Sequence, residues 1–87
     1  MRYLHVMTDY FAYPIWERTP GASVGSIDPA SLPISKELQE QLLRWAEEYD
    51  AADVDVPMPA SWSRTGAELA ARMQEELGVE YRVSYQS

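Results

Sequence analysis

His5 is the single histidine of an 87-residue chain that has no cysteine. General acid–base catalysis or metal binding at this position needs a partner group, and the sequence offers neither a second histidine nor a thiolate. A lone histidine in a strand reads as a packed or half-exposed sheet residue. The lack of cysteine excludes disulfides, thiolate metal sites and cysteine nucleophiles. Ser23, Ser26, Ser61 and Ser63 lie in no G-x-S-x-G elbow, and Gly21 and Gly25 belong to no phosphate-binding loop. Asp50, Asp53 and Asp55 have the outline of a calcium loop, but the third acid and the glycine are missing and Pro57 intervenes. Glu47–Glu48 and Glu75–Glu76 are chain neighbours, so on a helix each pair splays by about 100°. No cofactor and no metal are expected, and the motifs lean away from an enzyme.

Two features remain that could bind rather than react. The first is acid. The chain carries a net charge of −7, and residues 36 to 55 hold Glu37, Glu40, Glu47, Glu48, Asp50, Asp53 and Asp55 against only Lys36 and Arg44. Such a balance disfavours nucleic-acid phosphate, which needs clustered Lys and Arg, and favours a basic protein partner. The candidate partner surface is Glu40, Glu47, Glu48, Asp50, Asp53 and Asp55; the plainer reading of the same residues is a solvated face. The second feature is aromatic. Tyr10, Phe11, Tyr13 and Trp16 crowd into one short stretch. Tyr and Trp suit interfaces because they bury large area and keep a polar tip. Tyr10, Tyr13 and Trp16 form a candidate aromatic patch, and with His5 they are candidates to line a small-molecule pocket. Against both stands the ordinary use of rings to build a small core.

The elements that would position these residues follow from periodicity. Leu38, Leu42, Trp45 and Tyr49 draw an apolar stripe down a helix over about 35–50, widened by Leu43 and Ala46. Ser35 is its N-cap, Ile34 can fold back onto Leu38, and Glu40–Arg44 is an i,i+4 pair. Glu47, Glu48 and Asp50 oppose the negative end of the helix dipole. A second helix over about 63–77 carries Leu69, Ala70, Met73 and Leu77. Thr65 to Glu68 matches capping-box spacing, and Ser61 or Ser63 is an earlier alternative cap. Gly78 fits the helix C-terminus, with Val79 closing back onto the last turn. Between the helices the proline-bounded stretch 50–59 reads as a loop, with Val54, Val56 and Met58 laid over the core.

Met1–Asp9 reads as a strand with apolar residues on both faces, and Val79–Tyr85 as a strand with one buried and one wet face. Thr19-Pro20-Gly21-Ala22 fits a type II turn, which would make 15–27 a hairpin. The fold class is therefore α+β: a small, mostly antiparallel sheet of N- and C-terminal strands, with the 15–27 hairpin at an edge and two helices on one face. Parallel pairing of the terminal strands is the runner-up. Residues 1–87 form a single domain. No apolar run reaches the length of a membrane span, so a cytoplasmic location without membrane contact is expected. Exposed sheet edges make a homodimer an expectation as well.

Asp9-Tyr10, Pro14-Ile15-Trp16, Leu32-Pro33-Ile34-Ser35, the helical Leu38, Leu42, Trp45-Ala46-Glu47 and Tyr49-Asp50, then Leu69-Ala70, Leu77-Gly78 and Val83 give the chain a pattern. It resembles that of small acidic uncharacterised proteins of actinomycete genomes, a family of unknown function. That resemblance implies no activity. The residues themselves favour a non-catalytic protein–protein interaction module with an acidic surface, of the inhibitor, immunity or antitoxin kind. The alternative is a small-molecule-binding protein or enzyme using His5, Tyr10, Tyr13 and Trp16.

Overall fold

The computed structural model describes residues 1–9, 12–23, 25–52 and 57–85. Strand β1 (Arg2–Val6) is followed by β2 (Ile15–Glu17), β3 (Ser26–Ile27), a 3₁₀ turn (Pro29–Ser31), helix α1 (Lys36–Ala51), helix α2 (Ala60–Leu77) and strand β4 (Tyr81–Tyr85). The strands form one four-stranded sheet in the order β3-β2-β1-β4. The two helices cover one of its faces.

The hairpin forms as the turn chemistry requires. The Ala22 N–H donates to the Thr19 carbonyl at 3.1 Å, and Gly21 takes φ of 85°, which a side chain would resist. β2 runs antiparallel to β1, with His5 opposite Trp16 and Val6 opposite Ile15. β4, however, runs parallel to β1, with Arg2 opposite Tyr81 and Val6 opposite Tyr85. The sheet is thus mixed rather than mostly antiparallel at its terminal pair. Hydrophobic patterning is blind to this choice, because either strand direction presents the same alternate residues to the helices.

α1 starts where its cap predicts. The Ser35 hydroxyl accepts from the Leu38 N–H at 3.2 Å. A second group reinforces it from across the fold: the Glu76 carboxylate on α2 accepts from the Ser35 N–H at 2.6 Å and from its hydroxyl at 3.0 Å. A negative charge there complements the positive end of the helix. Leu38, Leu42, Trp45 and Ala46 are buried, but Leu43 is 36% exposed and leaves the stripe. Glu40 and Arg44 form no ion pair; among the described residues the pairs are Arg2–Glu17 and Arg72–Glu76.

α2 begins at Ala60, ahead of the Thr65, Ser63 or Ser61 caps expected from sequence, and Pro59 in the cap position supplies no side-chain hydrogen bond. Thr65 lies inside the helix and its hydroxyl donates back to the Ser61 carbonyl at 3.0 Å. The early turn is held by tertiary contact instead. The Trp62 indole stacks on Trp45 with ring centres 4.5 Å apart. Each indole N–H donates to the other residue's carbonyl, at 2.9 Å from Trp45 and 3.1 Å from Trp62. Gly66, buried one turn on, lets the helices close: a Cβ there would sit 2.6 Å from Tyr85 Cε1 and collide with the Trp45 ring.

Gly78 ends α2 with φ of 83°. Val79 does not return to the last turn; it is 89% exposed. The outer edge of β4 is filled by a side chain. The Gln74 amide donates to the Tyr81 carbonyl at 2.8 Å and accepts from the Val83 N–H at 2.8 Å. It takes the place that a neighbouring strand would occupy. The core itself runs from Leu4, Val6 and Ile15 through Leu38 and Leu42 to Leu69 and Met73, with Tyr81, Val83 and Tyr85 packed against it. Val54 and Val56, expected over the core, lie outside the described residues; Met58 is half-buried.

Candidate functional site: two faces of opposite charge

The acidic candidates do not form one patch. Glu40, Leu43, Glu47 and Asp50 recur at steps of three and four, so they share one flank of α1. Toward the end of that flank, Leu43, Ala46, Glu47 and Asp50 meet Ala12, Tyr13, Pro14 and Ser26 across a groove of about 470 Å³. Tyr13 is 42% exposed and Leu43 shows its apolar side chain beside it. Glu40 and Glu47 are exposed, and Asp50 is half-buried. Glu48 points to the other flank. There it lines a second groove with Arg44 and, from α2, Glu68 and Arg72. Asp53 and Asp55 lie outside the described residues, and so does Tyr10.

The aromatic candidates separate too. Pro14 and Ile15 are buried, which fixes Tyr13 against α1 and turns Trp16 to the opposite side of the sheet. The Trp16 indole N–H donates to the Met7 carbonyl at 3.3 Å, and Trp16 sits opposite His5 in the β1–β2 register. His5 and Trp16 are therefore neighbours, while Tyr13 is on the helical side. Among the described residues, His5, Tyr13 and Trp16 do not converge on one pocket. Tyr13 precedes β2 (Ile15–Glu17) and lines the groove against α1, whereas Trp16 lies inside the strand opposite His5.

The face of the sheet away from the helices sets His5 among residues that sequence reasoning passed over: Tyr3, Arg82 and Ser84. Tyr3 and His5 alternate with buried Leu4 and Val6; Arg82 and Ser84 alternate with the core-packed Tyr81, Val83 and Tyr85. The His5 imidazole Nδ1 lies 2.7 Å from the Ser84 hydroxyl. The signal was present in the alternation of each strand. Which strands lie side by side was not.

At the edge of the helical side, Arg2 and Glu17 form an ion pair at 2.6 Å, with Arg2 also over the Tyr81 ring. The Glu17 carboxyl is held below the usual carboxylate range, mainly by the hydrogen bond from Arg2. Burial works against that, and a hydrogen bond from Thr19 adds to it. Arg2 is correspondingly raised by the bond to Glu17. Both partners face each other, so this pair is a structural tie rather than a reactive one.

Among the described residues no three potential metal ligands cluster, and no described helix is long and apolar enough to cross a membrane. What the arrangement offers chemically is recognition: an acidic, aromatic groove on one side and an arginine-bearing sheet on the other. The sequence matches the family described as Serratia CdiI immunity protein-like over residues 2–87. No curated protein matches it.

Proposed function

The chain belongs to the Serratia CdiI immunity protein-like family, and from that we propose that it is an immunity protein that binds a toxin and blocks it without catalysis. The family supports an immunity- or inhibitor-type interaction module. The match over nearly the whole chain is the observation that carries the reading. We place the toxin on the groove between Tyr13 and the α1 flank. Tyr13 and Leu43 supply exposed anchoring area, Glu47 and Asp50 line it with negative charge, and Glu40 stands one turn back along the same flank of α1. Interface hot spots join a ring or apolar anchor to a polar rim in this way. The toxin is accordingly basic, which suits the net charge of −7. It also suits steering of association at low ionic strength. The cytoplasm is the setting we favour. An actinomycete source rests on the sequence resemblance alone.

The test couples capture to protection. Candidate toxins from neighbouring reading frames are co-expressed with the wild type and with a Tyr13→Ala, Glu47→Lys double variant. Growth should be restored by the wild type only, and the wild-type complex should dissociate as salt is raised. Protection that persists in the double variant would remove the groove from the interface. Failure of the wild type to protect against any of these toxins would count against the immunity reading itself.

A further inference from the structure

The face of the sheet away from the helices carries a charge pattern opposite to that of the helices. In register, Leu4 faces Glu17 on β2, and Tyr3 faces Arg82 on β4. The Arg18 N–H donates to the Tyr3 carbonyl at 2.8 Å, which continues the β2 ladder by one residue and sets Arg18 beside Tyr3. Arg18, Tyr3 and Arg82 thus form one row across three strands. With strands ~4.8 Å apart, the two arginine backbones stand ~10 Å from each other with the exposed tyrosine between them. The next row is Trp16, His5 and Ser84. A groove of about 380 Å³ over these rows is lined by Tyr3, Leu4, His5, Arg18, Pro20, Arg82 and Ser84, with no carboxylate among the described residues. Arg18 and Arg82 are exposed, and among the described residues neither is in an ion pair; the Arg18 guanidinium lies 3.9 Å from the Met7 sulfur. Glu80, in the turn before β4, makes no ion pair with Arg82.

We infer that this face is a second docking surface and that it receives an acidic segment of a protein partner, with one carboxylate against each of Arg18 and Arg82 and Tyr3 beneath. The choice of occupant follows from charge. Guanidinium groups pair with carboxylates in a fixed, two-pronged geometry, and Tyr beside Arg is the composition of an interface hot spot. A second copy stacked face to face would set these arginines against their own counterparts. Nucleic acid would meet two bases here and a strongly acidic molecule everywhere else. The segment lies across the face by its side chains rather than adding as a strand, because Gln74 already occupies the outer edge of β4. The inference does not depend on the immunity reading.

The experiment titrates the intact protein with fluorescein-labelled hexaglutamate at low salt. Inorganic phosphate and a short single-stranded DNA are titrated in parallel, and sedimentation is followed over a range of protein concentrations. The expected result is saturable binding of hexaglutamate, weakened about tenfold in Arg18→Ala, Arg82→Ala. It should be unchanged in Tyr13→Ala, and the amides of residues 3, 5, 82 and 84 should shift. Circular dichroism confirms that the double variant is folded, as expected for two exposed residues. Lack of saturable binding, equal binding by the double variant, or tighter binding of DNA or phosphate would overturn the assignment. So would self-association that the double variant abolishes, which would name a second copy as the occupant. No toxin enters the measurement, so its failure leaves the immunity reading standing, and failure of toxin protection leaves this surface untouched.

Discussion

Trp45 and Trp62 exchange hydrogen bonds: each indole N–H donates to the backbone carbonyl of the other, while the two rings stack 13° from parallel. One side-chain pair therefore fixes the spacing, the rotation and the longitudinal position of α1 against α2. Tyr49 extends the stack onto Trp62 at 5.6 Å. Trp62→Phe should keep most of the ring contact and lose one hydrogen bond, costing about 1 kcal/mol. Trp62→Ala should cost about 3 kcal/mol. In a double-mutant cycle by urea unfolding, Trp45→Phe and Trp62→Phe should couple by at least about 0.5 kcal/mol. Strict additivity would mean that the exchange does not stabilise the fold.

Gly66 inverts an ordinary rule. Glycine inside a helix is usually worth replacing, because alanine is better there by about 1 kcal/mol. Here the added methyl would collide with the Trp45 ring and with Tyr85 Cε1. Gly66→Ala should therefore destabilise, by about 1–3 kcal/mol, since overpacking forces the rings apart. A thermal melt decides the sign: a raised midpoint would show that the helices have room to move.

Ser35 and Glu76 act as one cap, shared between two helices. Ser35→Ala should cost about 1 kcal/mol. Glu76→Gln keeps an acceptor but removes the charge at the α1 N-terminus, and should cost about 0.5–1 kcal/mol at low salt and less at high salt. The two changes together should cost less than the sum of each alone, as measured by equilibrium unfolding.

The Arg2–Glu17 pair sets an acid sensitivity. The folded carboxyl of Glu17 titrates below its unfolded value. Its contribution is thus fully present above the unfolded carboxylate range, around pH 4.3, and is lost as pH falls through the lower folded value. Because the Arg2 side chain is 42% exposed, solvent screening keeps the contribution to at most about 1 kcal/mol. Glu17→Gln should lower stability at neutral pH and flatten the acid limb of the stability curve. A wild-type and a variant curve that stay parallel below pH 5 would contradict it.

Most of the local structure was legible in the residues. The stripe through Leu38, Leu42 and Trp45, the Ser35 cap, the turn at Pro20-Gly21 and the alternation from Tyr81 to Tyr85 all have short-range causes. What escaped had long-range causes. α2 starts at Ala60 because a tryptophan on another helix holds its first turn, and no capping rule contains that. Leu43 looked like core and Val79 like a closing contact, yet both are exposed, since only the packed neighbours decide which edge of a stripe is covered. The candidate site was legible in kind but not in outline. Acid on α1 and rings near Tyr13 were evident, while the meeting of Tyr13 with Glu47 and Asp50 needed the loop's path. The row of Arg18, Tyr3 and Arg82 needed a strand register that spans the whole chain.

The tryptophans also divide the molecule optically. Two indoles stacked at 4.5 Å share their excited states, whereas Trp16 lies apart from that pair on the far side of the sheet, half-buried beside His5. The stacked pair marks the seam between the helices, and Trp16 marks the arginine-bearing face. Light absorbed by one protein thus carries two separable reports, one on whether the chain is folded and one on whether its open sheet is covered. No label has to be attached to read either.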